Sequence, residues 1–156
     1  MIEKKTGRVL PQKFVAEPQF SFHHINAYET QESANNIKLT VDISSYDSKH
    51  FDINNFTFQN MYEGSLMETA KARAVARRIE IPVNLNEKSN KEVNCSMFDL
   101  NSNFAFEAPT INYWQNNGLP YKYIYGVNHY RRPLSVCKLN TEKPQEIIER
   151  VFSRKG

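Results

Sequence analysis

The stretch Phe20-Ser21-Phe22-His23-His24-Ile25-Asn26-Ala27-Tyr28-Glu29, followed after a polar break by Ile37-Lys38-Leu39-Thr40-Val41-Asp42-Ile43-Ser44, decides the fold class of this 156-residue chain. In the second run apolar and polar residues alternate, the period-2 signature of a strand with one buried face. Strand geometry applied to the first run puts Phe20, Phe22, His24, Asn26 and Tyr28 on one face and Ser21, His23, Ile25, Ala27 and Glu29 on the other. The adjacent histidines therefore face opposite ways. Between the runs, Thr30-Gln31-Glu32-Ser33-Ala34-Asn35-Asn36 supplies the polar break of an antiparallel hairpin.

Outward from the hairpin, residues 50–61 are aromatic and asparagine-rich without a sustained period and read as loop. Residues 62–77 predict a short helix, with Leu66, Ala70, Ala74 and Ala76 among good helix formers behind Ser65 as N-cap. Arg77-Arg78-Ile79-Glu80-Ile81-Pro82-Val83 alternates again, and Pro82, which cannot donate to a ladder, belongs at a strand end or sheet edge. Short strands are expected at 93–98, 104–108, 121–125 and 134–139, separated by turn formers such as Gln115-Asn116-Asn117-Gly118. The polar, mixed-charge run 145–150 reads as a junction. Many short strands with turn signals predict an all-β sandwich, barrel or propeller piece. With no repeat and no linker, residues 1–156 are expected to form one unit without an internal boundary.

Composition narrows the function classes. A hydrophobic content of 40% with 24% charged residues is that of an ordered globular segment. The net charge of +3, from 20 basic and 17 acidic residues scattered along the chain, is too small for a nucleic-acid footprint. Cys95 and Cys137 lie far apart without metal-ligand spacing and read as free thiols of a reducing compartment. The start, Met1-Ile2-Glu3-Lys4-Lys5, lacks the pattern of a signal peptide, and no apolar run approaches the ~18 residues of a bilayer span. A cytoplasmic address is the expectation. The acceptor-like triplets at Asn55 and Asn94 are discounted for the same reason.

Two residues stand out as candidates for chemistry. His23 carries an imidazole, which suits iron, copper or zinc, on a strand that can hold it rigidly. The alternative reading is a satisfied histidine of a half-buried strand. Glu107 sits between Phe106 and Ala108 in an apolar run, where a carboxylate is costly unless a partner meets it. Its alternative is a rim position on an exposed sheet face. Arg73, Arg77 and Arg78, with Arg131-Arg132 after His129-Tyr130, offer either a phosphate-binding surface or, more ordinarily, a solvated face. No glycine-rich phosphate loop, zinc-finger spacing or metalloprotease motif is present.

Several motifs together resemble one known family. Phe22-His23-His24-Ile25-Asn26-Ala27-Tyr28-Glu29 resembles the Phe-His-x-x-Asn-Ala-aromatic-Glu signature of the carotenoid cleavage oxygenases, and the doubled histidine is similar to their animal branch. Ala76-Arg77-Arg78-Ile79-Glu80-Ile81-Pro82-Val83 resembles the family's arginine-pair strand. Phe106-Glu107-Ala108-Pro109-Thr110-Ile111-Asn112-Tyr113 is similar to its Phe-Glu-x-Pro-x-Ile-Asn-Tyr stretch, and Pro120-Tyr121-Lys122-Tyr123-Ile124-Tyr125-Gly126 with Lys138-Leu139 follows in the same order.

The resemblance implies an internal piece of a seven-bladed β-propeller, with a short helical insertion, whose parent holds iron(II) on its axis with four histidines. His23 would be one metal ligand, and Glu107 a carboxylate hydrogen-bonded to a ligating histidine. It also implies dioxygen and a carotenoid or retinoid as substrates, oxidative cleavage of a conjugated double bond, and peripheral contact with membranes. A retinoid isomerohydrolase using the same metal, and a non-catalytic β-rich interaction module, are the alternatives. Ala108 departs from the bulkier residue usual in the animal branch, and His24, His50 and His129 match no ligand motif.

Overall fold

The computed structural model describes residues 1–59, 73–128 and 134–151. They build an all-β structure from ten strands: β1 (Lys13–Val15), β2 (Gln19–Gln31), β3 (Asn36–Asp47), β4 (Val75–Asn84), β5 (Glu92–Asn94), β6 (Ser96–Asp99), β7 (Glu107–Thr110), β8 (Tyr123–Asn128), β9 (Ser135–Asn140) and β10 (Ile147–Val151). A 3-10 turn at Ile53–Phe56 and a one-turn helix α1 at Tyr113–Asn116 are the helical elements with both ends among the described residues.

Two four-stranded antiparallel sheets dominate. Sheet one runs β2-β3-β4-β6 and sheet two β7-β8-β9-β10, each a meander in which the first strand forms an edge. A small parallel pair, β1 with β5, stands apart. The expected hairpin is β2–β3, turning through 32–35 with Glu32 and Ser33 amides donating to the Asn36 carbonyl.

Its phase differs from simple alternation. Between Phe20 and His23, and again between His24 and Asn26, β2 spends an extra residue against β3, so two bulges interrupt the ladder. His23 consequently stands opposite Ser44, Asn26 opposite Asp42 and Tyr28 opposite Thr40. It is His23, not His24, that shares a face with Asn26 and Tyr28, and His24 pairs with Ile43 on the other face.

That common face packs on sheet two. Register gathers Ile124, Leu139 and Ile147 in one row and Gly126 with Cys137 in the next on the inner side of sheet two. Ile124, Leu139 and Cys137 form a shared core with Ile25, Ala76, Leu100, Phe106 and Tyr121. Burying side chains of this size stabilises by roughly 1.5–3 kcal/mol each, and the chain spends alanine and glycine where sheet and connecting segment meet. A Cβ on Gly126 would lie 2.6 Å from the Phe106 ring, which fixes glycine at that position.

Several boundaries move from the sequence reading. Residues 75–77 are strand, not helix, and Ala74 and Ala76 are small because they are buried at the sheet junction. The rest of the predicted helix lies almost wholly outside the described residues. The run at 93–98 is two strands of different sheets, parted at Cys95, whose amide donates to the Val15 carbonyl. Phe104 and Phe106 precede β7 as buried coil, and the mixed-charge run near 147 is β10, the outer strand of sheet two. Pro82 lies near the end of β4, beyond the stretch paired with β6, so there the strand is locally an edge.

Gly126→Ala is expected to destabilise the full-length protein by about 1–3 kcal/mol through overpacking against Phe106, measured as a lower denaturation midpoint with an unchanged denaturant slope.

Candidate functional site

His23 and Glu107, 84 residues apart, meet where the edge strands of the two sheets run together. His23 Nδ1 and Glu107 Oε2 are 2.7 Å apart. The Glu107 side chain is 9% exposed and that of His23 is 53% exposed, so the carboxylate is interior and the imidazole reaches the surface of the described segment. A carboxylate only accepts, so the proton of a neutral His23 ring sits on Nδ1, and the lone pair is left on Nε2.

Local backbone chemistry puts Glu107 there. β7 carries an extra residue between Glu107 and Thr110 against β8, and Ala108 takes φ +46° in this bulge. A non-glycine residue in the left-handed region costs energy, so the surroundings must hold it. Part of that hold is direct: the Ala108 amide donates 2.9 Å to Glu107 Oε2, the oxygen that also meets His23. Glu107 Oε1 is buried with no hydrogen-bond partner among the described residues. The rim reading of Glu107 does not hold, and Ala108, the departure from the family pattern, is the residue at the bend.

Three residues that sequence reasoning passed over organise the surroundings. Asn26 Nδ2 donates 3.0 Å to both the Asn116 and Leu119 carbonyls, and its Oδ1 accepts from the Gly118 amide at 3.1 Å. It clamps the turn after α1, where Gly118 has φ +74°. Asp42, fully buried, accepts two 2.9 Å bonds from Arg78 Nε and Nη2 and one from the Tyr121 hydroxyl at 2.5 Å. Ser44 Oγ donates 2.7 Å to the Phe106 carbonyl. Ser44 thus holds the residue before Glu107, while Asn26 and Asp42 hold the connection that follows β7, and the signal was present: all are even-numbered positions on the face shared with His23 once β2 is rephased.

Arg73, Arg77 and Arg78 are engaged within the fold rather than offered as a phosphate surface. Arg78 is held by Asp42, Arg77 Nε lies 2.6 Å from Asp99 Oδ1, and Arg73 donates to the Ser102 carbonyl at 2.7 Å. His129, Tyr130, Arg131 and Arg132 lie outside the described residues. Burial would lower the Arg78 pKa, but the hydrogen bonds and charge of Asp42 outweigh it and raise it. Burial, reinforced by the Asp42 charge, pushes the Tyr121 hydroxyl well above its ordinary value. The Cys137 thiol is pushed up to about 12, mainly by burial.

Comparison with known proteins covers the stretch that carries both His23 and Glu107. The family model described as retinal pigment epithelial membrane protein matches residues 1–152. The chain belongs to that family. Among curated relatives, rat β,β-carotene 15,15'-dioxygenase is 25% identical across 80% of this chain and 24% of its own length. The carotenoid isomerooxygenase of Galleria mellonella is 26% identical across 91% of the chain and 26% of its own length. The mitochondrial carotenoid-cleaving dioxygenase of Macaca fascicularis is 23% identical, across 81% and 27%. The chain thus spans about a quarter of the length of the relatives it matches, and this retinal pigment epithelial membrane protein family member carries, within that quarter, both the histidine strand and the glutamate strand.

Asp42→Ala is expected to cost about 3–5 kcal/mol in unfolding free energy, because it strands the buried Arg78 guanidinium. Raised pKa values at Cys137 and Tyr121 give stability that is fully present below their unfolded values and is lost as pH rises through the folded ones. For Cys137 the window runs from 9.0 to about 12. A thermal melting series from pH 8 to 11 should fall steadily above pH 9, and native Cys137 should resist iodoacetamide at pH 8.

Proposed function

We propose that the full-length protein is an iron(II)-dependent dioxygenase that cleaves a conjugated double bond of a carotenoid or apocarotenoid to carbonyl products. His23 is one iron ligand, through Nε2, and Glu107 orients it. The observation that carries this reading is the 2.7 Å contact between an interior carboxylate and Nδ1 of a half-exposed histidine, in a chain of this family. A carboxylate behind an imidazole selects the tautomer that leaves Nε2 free and raises its basicity, as ligating histidines require.

The donor chemistry fits iron(II), for which imidazole is a suitable ligand. Among the described residues no group of three or more His, Cys, Asp or Glu side chains gathers, so in this reading the other ligands come from elsewhere in the parent. Bound iron(II) supplies dioxygen activation beside the polyene. This chain holds the imidazole in one orientation and flanks it with apolar surface. Phe20, Phe22, Tyr46, Phe51 and Phe56 form an aromatic cluster of one stacked pair and several edge-on contacts, with the Phe22 ring centroid 6.5 Å from that of His23. Such a wall suits a hydrocarbon substrate.

In the same reading the two meanders are neighbouring blades of a seven-bladed propeller. Support comes from their edge strands β2 and β7, which lie together, and from their outer faces. Ile37, Leu39, Val41, Ile79, Ile81 and Met97 share the outer side of sheet one by register, and Tyr125, Val136 and Ile148 line an apolar groove on sheet two. Antiparallel sheets apolar on both faces belong between two other layers. Unpaired thiols fit a cytoplasmic setting, and a membrane-dissolved substrate calls for peripheral membrane contact. Among the described residues no helix is long and apolar enough to cross a bilayer.

The test is made on full-length protein with β-carotene or an apocarotenal. Wild type should contain near-stoichiometric iron, consume dioxygen and release carbonyl products. His23→Ala should lose iron and product together, and Glu107→Gln should weaken iron binding by about 10–100-fold. Retinoid isomerisation without oxygen uptake would move the assignment to an isomerohydrolase, and iron-free, inactive wild type would sink it.

A further inference from the structure

We infer that Ser44 is a positioning residue for the His23–Glu107 pair; this rests on the reading of His23 as a metal ligand. Ser44 is fully buried and lies in the C-terminal half of β3, directly opposite His23 on one side and Ala76 on the other. Its hydroxyl leaves the sheet and donates 2.7 Å to the carbonyl of Phe106, the residue immediately before Glu107. A single side chain therefore ties the strand beside His23 to the backbone that presents Glu107.

The geometry makes this tie specific. Phe106 is held on both polar groups, its amide donating to the Ala74 carbonyl at 2.9 Å and its carbonyl accepting from Ser44. Its ring is pressed against Gly126, so it has little room to shift. On the other side of Glu107 the chain bends through Ala108 at φ +46°, a conformation that relaxes unless its neighbours are fixed. Removing the hydroxyl leaves a buried carbonyl unpaired and lets the 106–108 segment seek another donor. A displacement of about half an ångström there stretches the 2.7 Å His23 contact to the outer end of ordinary hydrogen-bond distance. The hydroxyl bonds the Phe106 carbonyl rather than either side chain of the pair, so its hold on Glu107 is exerted through backbone.

The experiment uses metal-free full-length protein titrated with cobalt(II), followed by the visible absorption of the bound ion. Wild type is compared with H23A, S44A, S44T and S135A, with S44C replacing S44T where the extra methyl is not accommodated. Ser135 is an equally buried serine on β9, hydrogen-bonded to Glu149 and separated from Glu107 by β8, and controls for stability loss. Amide exchange is read in parallel in the peptide covering 106–110. S44A should weaken cobalt binding about tenfold, the lower end of the range for partners behind a ligand, alter its spectrum and accelerate exchange in 106–110. S44T or S44C should recover most of the affinity, and S135A should melt earlier yet bind like wild type. Equal cobalt losses in S44A and S135A, or wild-type binding by S44A, would overturn the assignment. If H23A binds cobalt as tightly as wild type, the metal reading itself fails. Exchange in 106–110 then judges Ser44 alone: acceleration in S44A upholds its hold on the Glu107 segment, and no change removes it.

Discussion

A wholly buried carboxylate in the middle of a strand imposes the organisation of this molecule. Asp42 has no water to solvate it, so the chain must bring donors to it. Arg78 arrives from the next strand as a fork, and Tyr121 arrives from a segment 79 residues away. Satisfying one charge thus draws the connection ahead of β8 down onto sheet one. Once that connection is docked, Phe106, Ile111 and Tyr121 close the core between the sheets, and Glu107 is carried to the edge of β2. Such a network is weak evidence of net stability, but removing either partner leaves a buried charge unpaired.

Bulges do the finer placement. β2 has two and β7 has one, and all three lie within a few residues of His23 or Glu107. A regular strand would have put His23 on the face opposite Asn26 and Tyr28. The inserted residues shift the phase so that His23, Asn26 and Tyr28 face the same way. Bulges re-aim side chains at a modest cost in ladder bonds, and here they bring the imidazole to the carboxylate.

Much of the architecture was legible in the residues. The strict alternation of 37–44 marked β3, the polar run before it marked the hairpin turn, and turn-forming clusters separated the later strands near their observed positions. The helical reading of 73–77 failed because alanine is both a good helix former and the residue that fits where two sheets approach closely, and Ala74 and Ala76 serve the second need. The paired arginines were ambiguous for a similar reason: composition reports charge but not the acids that neutralise it, and Asp42 and Asp99 lie 36 and 22 residues away.

By itself the sequence determined the all-β class, the central hairpin and, through its ordered motifs, the family to which the chain belongs. It also marked His23 and Glu107 as separate curiosities, one for its ligand chemistry and one for its cost. Only the tertiary structure decided that they touch, which face of β2 carries the imidazole, and that Ser44, Asn26 and Asp42 hold the surrounding segments. The physical reason is that period-2 reasoning carries phase only along an unbroken strand. Each bulge resets that phase, and contacts between residues 84 apart depend on how two sheets pack rather than on spacing along the chain.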